Sequence, residues 1–165
     1  MLKYILSVAT LIAVSLSLNA QTKTVQTLED NNDGYNLFMY QSVIRVLNKD
    51  NNEEFNLLVK DLEYIKAIVT DSIGESAKTQ YKTLLKSIKS EGFSELFMID
   101  NKEMKASIYE KENQKGESEY VAFMYYEPLG KTGAFEMKGS LDLRYINAFE
   151  SLDFKKLKEL AESQN

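Results

Sequence analysis

The chain has 165 residues, contains no histidine and no cysteine, and carries 25 acidic against 20 basic side chains, for a net charge of −5. These counts exclude a disulfide, a thiolate nucleophile, a serine–histidine or cysteine–histidine pair, and the usual ligands of zinc, copper and non-haem iron. The mild acidity disfavours nucleic acid as a partner, because phosphate-binding proteins concentrate basic side chains on one face.

Residues 1–20 have the pattern of a secretory signal peptide. Lys3 precedes an apolar run over residues 4–18, and the small residue Ala20 comes just before Gln21. This run is shorter than the ~20 residues that a membrane-spanning helix needs, and no basic cluster follows it. We therefore expect export with cleavage after Ala20, no transmembrane segment in the mature chain, and a location in the periplasm, at the outer membrane or outside the cell. A retained membrane anchor is the alternative.

The polar stretch 21–34 is predicted to be a flexible leader, and residues 35–163 are predicted to be one domain. Apolar side chains recur at helical spacing over residues 35–48, which predicts a helix buried on most sides. Asn51 and Glu54 form a candidate capping box, a pair of side chains that satisfies free amides at a helix start. They predict a second, short helix.

Residues 64–70 (YIKAIVT) alternate and are rich in β-branched side chains, which predicts the first strand. Ser72 and Glu75 form another candidate capping box for a long helix, and Gly92 occupies the position of its left-handed C-terminal cap. The outer side of this helix carries a row of lysines, Lys78, Lys82, Lys86 and Lys89. The row is typical of a solvated face, with a nucleic-acid or anionic-lipid surface as the alternative.

Four more strands are predicted beyond Gly92, followed by a helical tail. They comprise 95–99 and 105–110, which should pair as a hairpin, then 120–126 and a last strand that alternates from Phe135 to Leu143. Gly139 interrupts the buried side of the last strand, which indicates a bulge or the close approach of a packed helix. Turns are predicted at 113–118 and 128–133, and residues 144–164 are helical in pattern.

This order of elements, α-α-β-α-β-β-β-β-α, predicts an α+β fold. The sheet is expected to be single, mixed and mainly antiparallel, with about five strands and with helices on one face. Its parallel part is predicted from the strand–helix–strand segment between residues 64 and 99, because a crossover of this kind favours parallel neighbours.

Tyrosine is concentrated on two neighbouring strands. Tyr120, Tyr125 and Tyr126 share one strand, Tyr109 lies on the one before it, and the 120–126 strand is apolar in both phases. One face of the strand will meet the helices, and the other needs a cover. An exposed aromatic face would suit a protein, peptide or glycan, so these four tyrosines are the candidate binding surface. The alternative is a central strand shielded by the chain's own tail.

No metal or cofactor is expected. Residues 29–34 (EDNNDG) are rich in oxygen ligands, but a calcium loop of the EF-hand type beginning at Glu29 would place Tyr40 where a bidentate glutamate is required. The sequence also lacks a Gly-rich phosphate loop and a dinucleotide-binding motif.

The arrangement over about residues 35–160 resembles a family of small exported bacterial proteins, common in Bacteroidetes and described as domain of unknown function 4252. The resemblance includes the YIKAIVT strand, the long helix ending near Gly92, and the closing GSLDL segment with Gly139 and Asp142. It implies a structural signature, in which Asp142 can cap the next helix, and no catalytic residues. Several relatives look like lipoproteins, whereas this chain lacks the necessary cysteine. Envelope association with unknown function is what the resemblance implies.

We therefore expect an exported, non-enzymatic binding module. Its partner would be another envelope protein or a second copy of the chain. The alternative is a carrier of a small ligand or glycan with a pocket between helices and sheet. A hydrolase that uses two carboxylates is a more remote alternative.

Overall fold

A computed structural model describes residues 22–112 and 118–153 together with 155, 156 and 159. The signal peptide predicted for residues 1–20 lies outside the described residues. So do most of the turn predicted at 113–118 and most of the part of the predicted helical tail beyond residue 153.

Six strands and four α-helices form the described part of the chain. The strands are β1 (Tyr35–Tyr40), β2 (Asp61–Val69), β3 (Ser94–Asp100), β4 (Met104–Glu112), β5 (Ser118–Tyr126) and β6 (Lys131–Ser140). The α-helices are α1 (Lys23–Asp30), α2 (Gln41–Val46), α3 (Glu53–Leu58) and α4 (Glu75–Ser90). Short 3-10 segments lie at Lys49–Asn51, Glu127–Leu129 and Leu143–Ser151. Among the described residues, no helix combines the length and apolarity needed to span a bilayer.

The strands form one sheet in the order β1-β2-β6-β5-β4-β3, and each neighbouring pair is antiparallel. The α+β class and the mainly antiparallel sheet are thus confirmed. The expected parallel pair is wrong, because β2 pairs with the late strand β6 and not with β3. Helix α4 carries the chain from β2 to the opposite edge of the sheet. The meander β3-β4-β5-β6 then returns to β2.

The sixth strand comes from a segment that was predicted to be helical. Residues 35–40 form the edge strand β1, and only Gln41–Val46 of the predicted helix is helical. Leu37 and Met39 are buried, while Asn36, Phe38 and Tyr40 are exposed. This period of two matches a strand with one covered face. A short isolated helix is only marginally stable, whereas pairing with β2 fixes these residues as a strand of the sheet.

The stretch predicted to be a flexible leader contains the packed helix α1. Val25 and Leu28 are buried in the same core as α4. Free amides at the start of α1 are satisfied by a carboxylate at the end of α4: Glu91 accepts from the N–H groups of Lys23 (3.0 Å) and Thr24 (2.7 Å). Thr22 is the local N-cap and accepts from the Val25 N–H at 3.3 Å. This polar sequence thus forms a helix with a local cap and a second, distant one.

Helices pack on both faces of the sheet, and not on one face as expected. The core on the α1 and α4 side includes Phe123, and the core on the opposite side includes Ala122 together with Phe55 of α3 and Phe149. Successive residues of a strand point to opposite faces. The two apolar phases of β5 are therefore each covered by a core.

The predicted caps differ from the observed ones in detail. Helix α3 is capped by Asn52 and not by Asn51: the Asn52 side chain accepts from the N–H groups of Glu54 (2.9 Å) and Phe55 (3.4 Å). Helix α4 starts after Gly74, which has no side chain to accept a bond, so Ser72 is not its cap.

Two glycines and one aspartate hold special backbone positions. Gly92 has φ +86°, the left-handed conformation that ends α4. Gly139 has φ +112° and lies opposite a bulge in β2, where the register shifts between Leu62 and Tyr64, so the predicted bulge is confirmed and the close neighbour is a strand and not a helix. Asp142 accepts from the Arg144 N–H (3.4 Å) and from its guanidinium (2.7 Å), and these bonds hold the pKa of Asp142 below its usual value. Asp142 thus caps the 3-10 segment that follows β6.

Candidate interaction surface

The four tyrosines of the expected binding surface do not lie together on one exposed face. Tyr109 and Tyr125 are buried in the core beside α4, whereas Tyr120 is buried in the opposite core and Tyr126 is half-buried against it. Burial raises the pKa of Tyr109, Tyr120 and Tyr125, as expected for hydroxyls withdrawn from water. The described structure uses these side chains as core.

Exposed aromatic side chains occur instead at the β1 edge. Phe38 is 50% exposed and Tyr40 is 64% exposed. The Phe38 ring packs on Tyr64 of β2 at a centroid distance of 4.4 Å and meets the edge of the Tyr40 ring at 5.2 Å. We call Phe38, Tyr40 and Tyr64 the β1 aromatic patch.

The sequence contained a signal for this patch that the helical interpretation hid. In the segment YNLFMY, Leu37 and Met39 share one phase and Phe38 and Tyr40 share the other. A strand at the edge of a sheet with one covered face would leave the second pair in solvent. Together with Ile44, these apolar residues also fit the spacing of a helix. In that interpretation most of the helix would be buried, including Phe38 and Tyr40.

The charged groups beside the patch are already paired. Lys66 lies opposite Phe38 in the β1–β2 register and forms an ion pair with Glu29 of α1. Lys138 lies opposite Tyr64 and is 3.4 Å from the Glu63 carboxylate. Charge around the aromatic rings is thus locally balanced, so apolar contact would dominate binding there.

The two edges of the sheet differ in charge. Strand β1 has no charged residue, whereas β3 contains Glu95 and Asp100. These two acids form ion pairs, with Lys89 at 2.9 Å and Lys105 at 2.5 Å. Charged side chains discourage the addition of a further strand, so β3 is a protected edge and β1 is an open one.

A second candidate site is the groove between α1 and α4, with a volume of about 460 Å³. Leu28 and Leu84 contribute buried apolar surface to it, and hydroxyl and amide side chains line it, among them Thr27, Gln80, Thr83 and Ser87. The side-chain oxygen of Gln80 is buried and accepts no hydrogen bond from the described residues. A ligand with a donor group could satisfy that oxygen.

A carboxylate in a desolvated position lies where α1 meets the sheet. Glu136 accepts from the Thr22 N–H at 3.0 Å. Burial raises the pKa of Glu136, while Lys66 opposes the shift. Glu136 has this backbone partner and lies opposite Lys66 in the sheet. We therefore assign Glu136 a structural role, which is to hold the start of α1 against the sheet. Among the described residues, no cluster of three or more acidic side chains could hold a metal ion.

Stability should therefore fall as pH rises through the range in which native Glu136 ionises. Its pKa is raised above the usual 4.5, so above that value the native state retains a proton that the unfolded chain has lost. Glu136→Gln keeps the acceptor for Thr22 and removes the ionisation. We expect the variant to lose this part of the pH dependence, as measured by denaturant unfolding between pH 4 and pH 8. Glu150→Gln, which removes an exposed charge, should leave the pH dependence unchanged; the same flattening there would contradict the assignment to Glu136.

The chain matches the DUF4252 family, described as a domain of unknown function, over residues 27–149. No curated protein and no solved structure matches the chain. The matched range begins within α1 and ends within the Leu143–Ser151 segment, so it contains the whole sheet of the described structure as well as Gly139 and Asp142. The chain therefore belongs to the DUF4252 family of domains of unknown function.

Proposed function

We propose that the protein is an exported, non-enzymatic binding module of the cell envelope, and that it holds another protein at the β1 aromatic patch. The observation that carries this proposal is the exposure of two large aromatic side chains, Phe38 and Tyr40, on an uncharged edge strand. Aromatic clusters that remain exposed in this way are typical of interaction sites. The signal-peptide pattern of residues 1–20 supports the export part.

The arrangement favours a protein partner over a glycan. Phe38 packs against both Tyr40 and Tyr64 at tilted angles of 69° and 31°, so the rings do not form one flat platform for stacking sugars. Among the described residues the outer side of β1 has no strand partner, so an extended protein segment can bind there as a further strand. The absence of histidine and cysteine from the sequence supports binding over catalysis.

The groove between α1 and α4 supports a second candidate, the carrier of a small hydroxylated ligand or glycan. The buried, unpaired oxygen of Gln80 favours it, together with the neutral hydroxyl groups of Thr27, Thr83 and Ser87. A rise in melting temperature with neutral saccharides, lost in Gln80→Leu, would favour this candidate, because a ligand that binds only the native state stabilises it.

Site-specific photocrosslinking in the producing cells tests the patch. A photoreactive phenylalanine analogue in place of Tyr40 should give a discrete protein adduct, and additional Phe38→Ser should abolish it. Both side chains are half or more exposed, so these changes should alter stability by less than about 1 kcal/mol. Mass spectrometry of the same material also tests export, with a chain beginning at Gln21 as the expected product.

Ile73 is the matched control position, because its apolar side chain is 66% exposed and lies outside the patch. The analogue at position 73 should give no adduct. No adduct from position 40, or the same adducts from both positions, would overturn the assignment of the patch as a binding surface.

A further inference from the structure

The start of helix α1 is held to the domain by two side-chain carboxylates. Glu91 accepts from the N–H groups of Lys23 (3.0 Å) and Thr24 (2.7 Å) and from the Thr24 hydroxyl. Thr22, the residue before the helix, donates its N–H to Glu136 of β6 at 3.0 Å. We call the carboxylates of Glu91 and Glu136 the α1 latch. Both belong to segments that are far from α1 in sequence.

The other end of α1 is anchored to β2. Glu29 forms an ion pair with Lys66. In the turn after the helix, the Asn32 side chain donates to the Val69 carbonyl (3.2 Å) and accepts from the Asp71 N–H (3.0 Å). The Asn32 bonds do not involve the helix itself, so they can persist when the latch opens. Asn32 therefore marks a hinge.

The apolar contacts of α1 are few. Of its eight residues, all of which are described, Val25 and Leu28 are the apolar ones that are buried. The groove of about 460 Å³ between α1 and α4 leaves part of the space beside the helix unfilled. A helix of this length is shorter than the ~12–15 residues at which an isolated helix becomes even marginally stable. Docking on the domain therefore maintains α1, and the low number of apolar contacts favours its local opening.

We propose that α1 is a releasable strap, which opens at the latch and turns about Asn32 while the sheet stays folded. The bonds at its two ends reach β6 and β2, so the helix lies across these strands. Ile68 of β2 is two residues from Lys66 and points to the same face of the sheet. Ile68 is fully buried, in the same core as Val25 and Leu28. Release of the strap would therefore uncover Ile68.

The uncovered surface would adjoin the β1 aromatic patch. Phe38 lies opposite Lys66 in the β1–β2 register, and Lys66 is the residue that α1 binds through Glu29. The strap thus borders the patch, and its release would enlarge the apolar surface there. Regulation of the patch by the strap rests on the proposed function, whereas the opening itself does not.

Thiol labelling of single-cysteine variants measures the opening, because the sequence contains no cysteine. In the chain beginning at Gln21, Val25→Cys reports on the strap and Ile68→Cys on the surface beneath it. Ile108→Cys is the matched control, because Ile108 is also a buried isoleucine but belongs to the core on the opposite face. We expect the thiols at positions 25 and 68 to react at least about 100-fold faster than the thiol at position 108, since local opening costs less than global unfolding.

Removal of one latch carboxylate should act on the strap alone. Glu91→Ala is expected to speed labelling at positions 25 and 68 by about tenfold or more, because two amide bonds to a charged group are lost, and to leave position 108 unchanged. Glu95→Ala is the matched control. Glu95 is a partly buried acid near the same end of α4, and it bonds to Lys89 (2.9 Å) and Ser107 (3.3 Å). This control should leave the rates at positions 25 and 68 unchanged.

Equal labelling rates at the three positions would overturn the strap, as would a Glu91→Ala variant that speeds all three alike. Fast labelling at position 25 with slow labelling at position 68 would show that release does not uncover the sheet. Hydrogen exchange of the unsubstituted chain measures the same opening without a cysteine. The amides of α1 should exchange faster than those of β5, and equal protection would contradict the proposal.

The photocrosslinking experiment separates the strap from the proposed function. Glu91→Ala should raise the yield of the adduct from position 40, and an unchanged yield would overturn regulation of the patch. Latch-dependent labelling without any adduct from position 40 would support the strap and overturn the proposed function.

Discussion

Replacement of Gly139 by alanine is expected to lower the free energy of unfolding by about 2–4 kcal/mol, since backbone strain alone costs ~1–3 kcal/mol at such a position. Gly139 has φ +112°, and a Cβ there would lie 2.4 Å from the Asp61 carbonyl oxygen and 2.8 Å from the Leu62 Cα. These atoms belong to the backbone of β2, so they cannot move aside without disturbing the pairing of β2 with β6. Denaturant unfolding of the variant and the wild type measures the loss.

Gly92→Ala is the control that separates strain from steric overlap. Gly92 also has a positive φ, +86°, but a Cβ there would meet nothing within 4 Å. Its substitution should therefore cost only the left-handed strain of about 1–2 kcal/mol. Equal losses in the two variants would show that the approach of β2 contributes nothing at Gly139.

Tyr109→Ala is expected to destabilise the protein by about 3–5 kcal/mol, the usual cost of deleting a buried aromatic ring. Tyr109 is fully buried, its ring lies 6.2 Å from the ring of Phe123, and the Lys89 ammonium lies 5.8 Å from its centroid. A cavity would form between α4 and the sheet. Because the alanine variant is expected to unfold more easily, its stability is measured at low temperature by denaturant titration.

Tyr109→Phe isolates the hydroxyl group. That hydroxyl is buried near Ser107 and Lys89 without a well-formed hydrogen bond to a described residue. Its removal should change stability by less than about 1 kcal/mol in either direction. A large loss in the phenylalanine variant would contradict this description, and a stable alanine variant would show that the ring is not part of the core.

Most of the strands could be predicted because their signals are local. The hairpin of β3 with β4 and the apolar strand β5 follow from short β-forming runs bounded by turn residues such as Gly130, and β6 follows from its alternation. The long helix α4 with its end at Gly92 follows in the same way, because its pattern and cap lie within one segment.

Prediction failed where distant parts of the chain decide the structure. The segment 35–40 fits a helix and a strand equally in its apolar pattern, and only pairing with β2 selects the strand. Helix α1 has a local cap at Thr22, but its first two amides bond to Glu91, which is far from it in sequence and cannot be identified from local spacing. A polar stretch therefore looked like a leader.

The candidate site could likewise be predicted only in part from local sequence. Alternation along β5 correctly separates Tyr120 from Tyr125, but it does not specify what covers each face. Because both faces are covered, those tyrosines are buried, and the exposed aromatic side chains are Phe38 and Tyr40 at the edge.

The sequence by itself determined the α+β class, the strand succession after Gly92, and the absence of imidazole and thiol chemistry. These depend on composition or on residues that are close together along the chain. The tertiary structure alone decided that β2 pairs with β6, that β1 forms an edge, and that both faces of β5 are buried. Each of these results from contacts between segments that are distant in sequence. The free energy of such contacts depends on which segments meet, and a local pattern of residues does not specify that.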